Sequence, residues 1–136
     1  MGKELKHSGA ALHQVGEFMI ASIHNYSDES GIFATGNAIL NRLRQDTAKG
    51  VVIDLSEVTI LSTKEFFILK DMAKAIAVMG TITVLSGFQP GVAASLVDFD
   101  TNFDDILTAR NTDDALEILA NHAMLNRANG TWPKGF

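Results

Sequence analysis

The run Val51-Val52-Ile53-Asp54-Leu55 is almost wholly apolar and mostly β-branched, and a few residues later the chain reads Ser62-Thr63-Lys64-Glu65. A strand of the first composition has no polar face for water and belongs in the buried middle of a parallel sheet. The second segment spells Ser-x-x-Glu, the capping box that opens a helix. A buried strand that leads through a polar turn at Ser56 and Glu57 into a capped helix requires further strands beside it and helices over it.

The rest of the chain supplies them. Residues 1–9 are polar and are expected to form a flexible N-terminal stretch. Ala10–Val15 suits a short edge strand, and Phe18–Ile23 a second strand bounded by Gly16 and by Asn25, Ser27 and Asp28. A helical period follows over 29–48, with Ile32, Gly36, Ile39 or Leu40, and Leu43 on one face and Lys49-Gly50 as the stop. The capped helix covers 63–79, its apolar stripe being Phe66, Leu69, Met72 or Ala73, and Ile76, and Gly80 ends it. A strand is expected over 81–85, a helix over 90–98 opened by Pro90, a short strand over 106–109, and a last helix from Asp113 to about residue 122. Strand and helix alternate, which predicts an α/β fold with a mixed, mainly parallel sheet of about four to six strands and about four helices. One domain is expected over 10–124, with a C-terminal tail over 125–136.

Composition narrows the function. Of the 136 residues, 46% are apolar and 20% charged, which is enough for one packed core. The net charge is −5 and the eleven Lys and Arg are scattered, so a nucleic-acid footprint is not expected. With no cysteine, disulfides, thiolate nucleophiles and Cys-based metal sites are excluded. The first residues lack the apolar core of a signal peptide, and no stretch reaches the roughly 18 apolar residues of a membrane span. A cytoplasmic protein without membrane contact is expected, so the glycosylation-like Asn25-Tyr26-Ser27 and Asn129-Gly130-Thr131 carry no weight.

Catalytic patterns fail one by one. None of the four strand-to-helix connections carries a phosphate-cradling glycine loop. His7, His13, His24 and His122 have no metal-ligand spacing. The segment from Asp98 through Asp100 begins like a calcium loop, but Phe103 stands where glycine is required and Ala109 where Glu is required. No catalytic residue, metal site or cofactor is expected, and the chain is not expected to be an enzyme.

Two hydroxyls remain. Ser62 is accounted for as the cap, worth roughly 1 kcal/mol. Thr63, the first helical residue, adds little to the helix, and its hydroxyl is expected to face outward. Phosphorylation there would add about −1.5 to −2 charges beside backbone N–H groups. The positive end of a helix tolerates that charge, whereas a partner docked on the same surface through apolar or acidic groups would not.

Several segments together carry a resemblance: Gly50-Val51-Val52-Ile53-Asp54-Leu55-Ser56, the strand–Ser62-Thr63–helix junction, Gly87-Phe88-Gln89-Pro90-Gly91-Val92-Ala93, and Ile106-Leu107-Thr108-Ala109. In their order and spacing, over about residues 12–120, they resemble STAS domains, the anti-sigma-factor antagonist family, and within it the RsbS-type stressosome scaffolds. The resemblance implies a single STAS-type domain acting as a phospho-switch. It implies binding to a serine/threonine kinase of the anti-sigma type, which belongs to the histidine-kinase-like ATPase superfamily, and resetting by a metal-dependent, PP2C-type phosphatase. It also implies assembly with related STAS proteins. The phosphoacceptor of the family falls on Thr63, with Ser62 beside it, and a second hydroxyl modified in some scaffolds falls on Ser95. The partner surface is expected at Ser62, Thr63, Lys64, Phe88 and Gln89. One position departs from the family pattern: Ser62 stands where Asp usually precedes the phosphoacceptor. Serine replaces Asp as a cap but carries no charge. That departure motivates an alternative expectation, a constitutive scaffold or ligand-sensing STAS domain that is never phosphorylated.

Overall fold

The computed structural model describes residues 10–24, 28–46, 48–98 and 106–129. Strand β1 (Ala10–Val15) turns back into β2 (Phe18–Ile23), and α1 (Glu29–Gln45) leads to β3 (Gly50–Asp54). Helix α2 (Thr63–Val78), β4 (Ile82–Ser86), α3 (Pro90–Asp98), β5 (Leu107–Ala109) and α4 (Thr112–Asn129) complete the order. The five strands lie in sequence order, β1 antiparallel to β2 and every later pair parallel. This is the mixed, mainly parallel α/β sheet that the alternation of elements predicts.

β3 sits in the centre, and Val51, Val52 and Ile53 are all fully buried. Successive side chains of a strand point to opposite faces, so β3 needs cover on both. On one face, Val51 and Ile53 join Met19, Ala21 and Leu85 beneath Ile39 and Leu43 of α1, Phe66, Leu69 and Ile76 of α2, and Val92 and Leu96 of α3. On the other, Val52 and Val84 pack against Ala115 and Leu119 of α4. The molecule is therefore three-layered, with α1, α2 and α3 on one side and α4 on the other.

The helix stripes are those that periodicity indicates. α1 buries Ile32, Gly36, Ile39 and Leu43, and adds Thr35, whose hydroxyl donates to the Gly31 carbonyl at 3.0 Å. α2 buries Phe66, Leu69, Met72, Ala73 and Ile76. Two helix ends differ from the sequence pattern. α1 stops at Gln45, before residue 48, because the chain there is claimed by tertiary bonds: the Thr81 hydroxyl donates to the Ala48 carbonyl at 2.9 Å, and the Lys49 N–H to the Glu17 carbonyl at 2.8 Å. α4 continues past residue 124, the expected domain limit, to Asn129. Neither glycine nor proline interrupts the chain between Gly91 and Gly130, and Ala123 is still buried. The expectations for residues 1–9, for the acidic segment 99–105 and for residues 130–136 lie outside the described residues.

α4 lies very close to the sheet at Gly50. A Cβ built there would stand 2.6 and 2.7 Å from the two methyl carbons of Leu119. A Cβ at Gly91 in α3 would meet nothing within 4 Å. Gly50→Ala is therefore expected to lower stability by about 1–3 kcal/mol through overpacking. Gly91→Ala is expected to raise it by up to about 1 kcal/mol, since alanine holds a helix better than glycine. Urea unfolding of the two variants checks both signs; equal effects would remove the close-approach explanation.

Candidate functional site

Strand β3 ends where the chain leaves the sheet. Asp54 Oδ1 accepts from the Ser56 N–H at 2.9 Å, closing the turn, and the Leu55 N–H donates to the Ser86 carbonyl at 2.8 Å. Leu55, Val58 and Leu61 are buried along the way, which pins the connection to the core and delivers Ser62 to the head of α2. There the capping box is complete. The Glu65 N–H donates to Ser62 Oγ at 3.1 Å, and the Ser62 N–H donates to the Glu65 carboxylate at 2.9 Å. Ser62 is exposed and Thr63 half-buried.

A second tether comes from the head of α3. The Gln89 side-chain amide donates to the Ser56 carbonyl at 2.8 Å. Gly87, before it, has φ +77°, and a Cβ there would lie 3.1 Å from both Asp54 and Ser56, so glycine lets the β4–α3 turn pass against the β3–α2 connection. Phe88 is half-buried against the main core. The two loops that carry the expected partner residues are thus bound to one another. Ser95 lies further along α3, half-buried, its hydroxyl donating to the Gly91 carbonyl at 3.0 Å.

Near Thr63 two large apolar side chains are left in water: Phe67, one turn further on the same face of α2, is 49% exposed, and Ile60, just before the cap, is 81% exposed. Phe33 on α1, 61% exposed, lies instead in the groove between α1 and α2, with Ile68 and Met72. Lys64 reaches across to Glu29 at the head of α1, Nζ to Oε2 3.8 Å, and Lys70 stands 5.8 Å from the Phe67 ring centroid. Both members of the Lys64–Glu29 pair are half or more exposed, so the bridge adds at most roughly 1 kcal/mol and leaves Lys64 available to another anion. Phe33, Ile60 and Phe67 are absent from the partner surface that motif matching indicates. Phe67 was legible in principle: it follows Thr63 at i+4 and falls off the buried stripe. Phe33 and Ile60 carry no such signal, because an apolar residue beside a buried one is normally buried too.

A separate polar cleft of about 280 Å³ opens at the carboxyl ends of the strands, lined by Asp54, Ser56, Gly87, Arg110, Asn111, Thr112 and Asp113. Arg110 is already engaged with Asp114, Nη2 to Oδ2 3.1 Å. Among the described residues no group of three His, Asp or Glu side chains could hold a metal ion, and no helix is long and apolar enough to cross a membrane.

The fold is that of STAS domains. The structure superposes on a serine-to-glutamate variant of Moorella thermoacetica RsbS with a TM-score of 0.73 and 23% identity, over 85% of this chain and 97% of that one. It matches a chain in the structure titled "Molecular architecture of the stressosome, a signal integration and transduction hub" with a TM-score of 0.70 and 22% identity, over 83% and 98%. It matches the phosphorylated form of the Bacillus cell fate determinant SpoIIAA with a TM-score of 0.59 and 11% identity, over 81% and 98%. No family model and no curated protein sequence matches the chain.

The cap itself is testable. Ser62→Ala should cost about 1 kcal/mol in chemical unfolding, whereas Ser62→Asp, which caps equally well, should leave stability within a few tenths of a kcal/mol. A loss shared by both variants would mean that Ser62 acts through something other than its capping oxygen.

Proposed function

We propose that this chain is a regulatory STAS module of the anti-sigma-factor antagonist kind, which docks a serine/threonine kinase at the head of α2 and is released by phosphorylation of Thr63. Assembly with STAS-type partners, further copies of this chain among them, belongs to the same reading, and a PP2C-type phosphatase would reset it. A binding role, with no reaction catalysed by the chain itself, is the corresponding proposal for its chemistry.

One observation carries the reading: Thr63 stands half-buried at the positive end of a capped helix, between Ile60 just before the cap and Phe67 one turn on, two large apolar side chains left exposed. Exposed apolar side chains gathered at one place favour a protein partner. A phosphate on Thr63 would sit beside the first N–H groups of α2, which the cap leaves free, and could draw Lys64 away from Glu29. Its charge would fall in the middle of the docking surface, where desolvating a dianion is costly. The fold need not move, because the capping box uses the Glu65 N–H and the Ser62 N–H, not the Thr63 hydroxyl. A phosphorylated SpoIIAA of the same fold supports the chemistry.

The alternative, a constitutive scaffold that is never phosphorylated, draws on Ser62 standing in place of an acid: beside Thr63 the only carboxylate on the cap is that of Glu65, and it is occupied by the Ser62 N–H.

The two readings separate in one experiment. The protein is incubated with ATP and an anti-sigma-type serine/threonine kinase from its own organism, and phosphate is located by mass spectrometry. Phosphate on Thr63, none in Thr63→Ala, and a loss of kinase affinity of at least about tenfold in Thr63→Glu are expected. Undiminished incorporation into Thr63→Ala would overturn the assignment, and kinase binding without incorporation would favour the constitutive scaffold.

A further inference from the structure

The polar cleft at the carboxyl ends of the strands lies where the chain divides between the two faces of the sheet. β4 and β5 are neighbours, yet β4 leads into α3, whose Val92 and Leu96 pack on one face, and β5 leads into α4, whose Ala115 and Leu119 pack on the other. Open α/β sheets take their ligands in the crevice that such a divergence opens beyond the strand ends. Here that crevice is the cleft of about 280 Å³, bordered by Asp54 and Ser56 at the end of β3, Gly87 after β4 and residues 110–113 after β5. At about 30 Å³ for each water-sized group it holds on the order of nine non-hydrogen atoms, which suits a small metabolite.

The lining carries both signs of charge. Asp54 is half-buried, with Oδ1 accepting from the Ser56 N–H at 2.9 Å. Across the cleft stands the head of α4, where the Asn111 side chain caps the helix by accepting from the Asp114 N–H at 2.8 Å. That cap leaves the N–H groups of Thr112 and Asp113 without an intrahelical partner at the positive end of an 18-residue helix. Arg110 uses Nε and Nη2 on Asp114 Oδ2 and keeps its other donors, while Asp113 places an exposed carboxylate at the rim. A second observation concerns Ser86. In register it lies between Asp54 of β3 and Ala109 of β5, and it shares the α4 face with Val84, two residues earlier. Its side chain is therefore directed between Asp54 and the first turn of α4, at the foot of the cleft. Ser86 is fully buried, and its hydroxyl has no hydrogen-bond partner among the described residues. Buried hydroxyls are nearly always satisfied, so this one points to a group supplied from outside the chain.

We infer that this cleft is a binding site for a small zwitterion, an α-amino acid with an uncharged side chain. A free anion would face Asp54 and Asp113, and a free cation the head of α4 and Arg110; a zwitterion meets each side with its complement. Its ammonium group donates to Asp54 and, beside it, to the Ser86 hydroxyl. Its carboxylate accepts from the Thr112 and Asp113 N–H groups, with Arg110 alongside. Because the Ser86 oxygen is enclosed, Asp54 is the first contact, and Ser86 is reached with a small movement of the residues above it. The inference goes beyond the kinase-docking reading and does not rest on it, since neither Thr63 nor any other residue of the expected partner surface lines the cleft.

NMR titration of the isotope-labelled full chain tests it, with L-alanine, L-serine, L-asparagine and L-glutamine as probes and acetate and methylammonium as the separate halves. At least one amino acid should move the backbone amide signals of Ser56, Gly87, Thr112 and Asp113 with a dissociation constant of about 1 mM or below. Each half should bind at least about tenfold more weakly. Asp54→Asn keeps an oxygen for the Ser56 N–H and so preserves the turn, but with the charge gone it should raise the dissociation constant at least about tenfold. Ser86→Ala removes only an unpartnered hydroxyl: it should raise the constant about threefold or more, while the urea midpoint of the free protein does not fall. Met124→Ala, exposed far along α4, should leave the binding unchanged. No signal change with any of the amino acids at about 10 mM overturns the inference. So does acetate binding as tightly as they do, a set of shifts confined to other parts of the molecule, or unaltered affinity in Asp54→Asn. Failure here leaves the kinase assay at Thr63 unaffected, so the two readings fall separately.

Discussion

Everything in this molecule follows from enclosing β3. A strand with Val51, Val52 and Ile53 all withdrawn from water cannot lie on an open sheet face, so helices must arrive on both sides. α1, α2 and α3 cover one face and α4 the other, and the closeness of that second cover is set by a missing side chain at Gly50. The same burial dictates where the chain may become polar again. It does so at Asp54, whose carboxylate closes the turn at Ser56, and the following connection stays pinned by Leu55, Val58 and Leu61 until the cap at Ser62. The head of α2 is therefore held in place by the core, not by the local turn alone.

That rigidity is what makes the proposed switch physically economical. A residue at the first position of a capped helix can gain a dianion without any backbone hydrogen bond being broken, because the cap is closed through its neighbours. In that proposal the change is confined to the surface: the exposed area that includes Ile60 and Phe67 would gain a strong negative charge at Thr63. Under the same proposal, partner binding would be governed by desolvation and charge, with the fold behind it unaltered.

Most of the architecture was legible in the sequence because it depends on short-range physics. Periods of 2 and 3.6 located the strands and helices, and the stripes on α1 and α2 were readable residue by residue. The Ser62–Glu65 capping box was readable too, since both partners lie within one turn. The early end of α1 was not legible: it is imposed by Thr81 and Glu17, far away in sequence. Nor were the tether from Gln89 to Ser56 and the exposure of Phe33 and Ile60, since both depend on which elements become neighbours.

The sequence by itself thus determined the alternation of elements, the buried central strand and a capped helix beginning at Ser62 with a hydroxyl beside the cap. Tertiary structure alone decided which apolar side chains stay in water near Thr63, how the β4–α3 turn is tied to the β3–α2 connection, and that α1 and α2 leave a groove between Phe33 and Met72. The physical reason is the range of the interactions. Caps and periodic stripes are settled within a turn or two of chain, whereas exposure and grooves arise only when α1 and α2, separated by a whole strand, are laid side by side on the sheet.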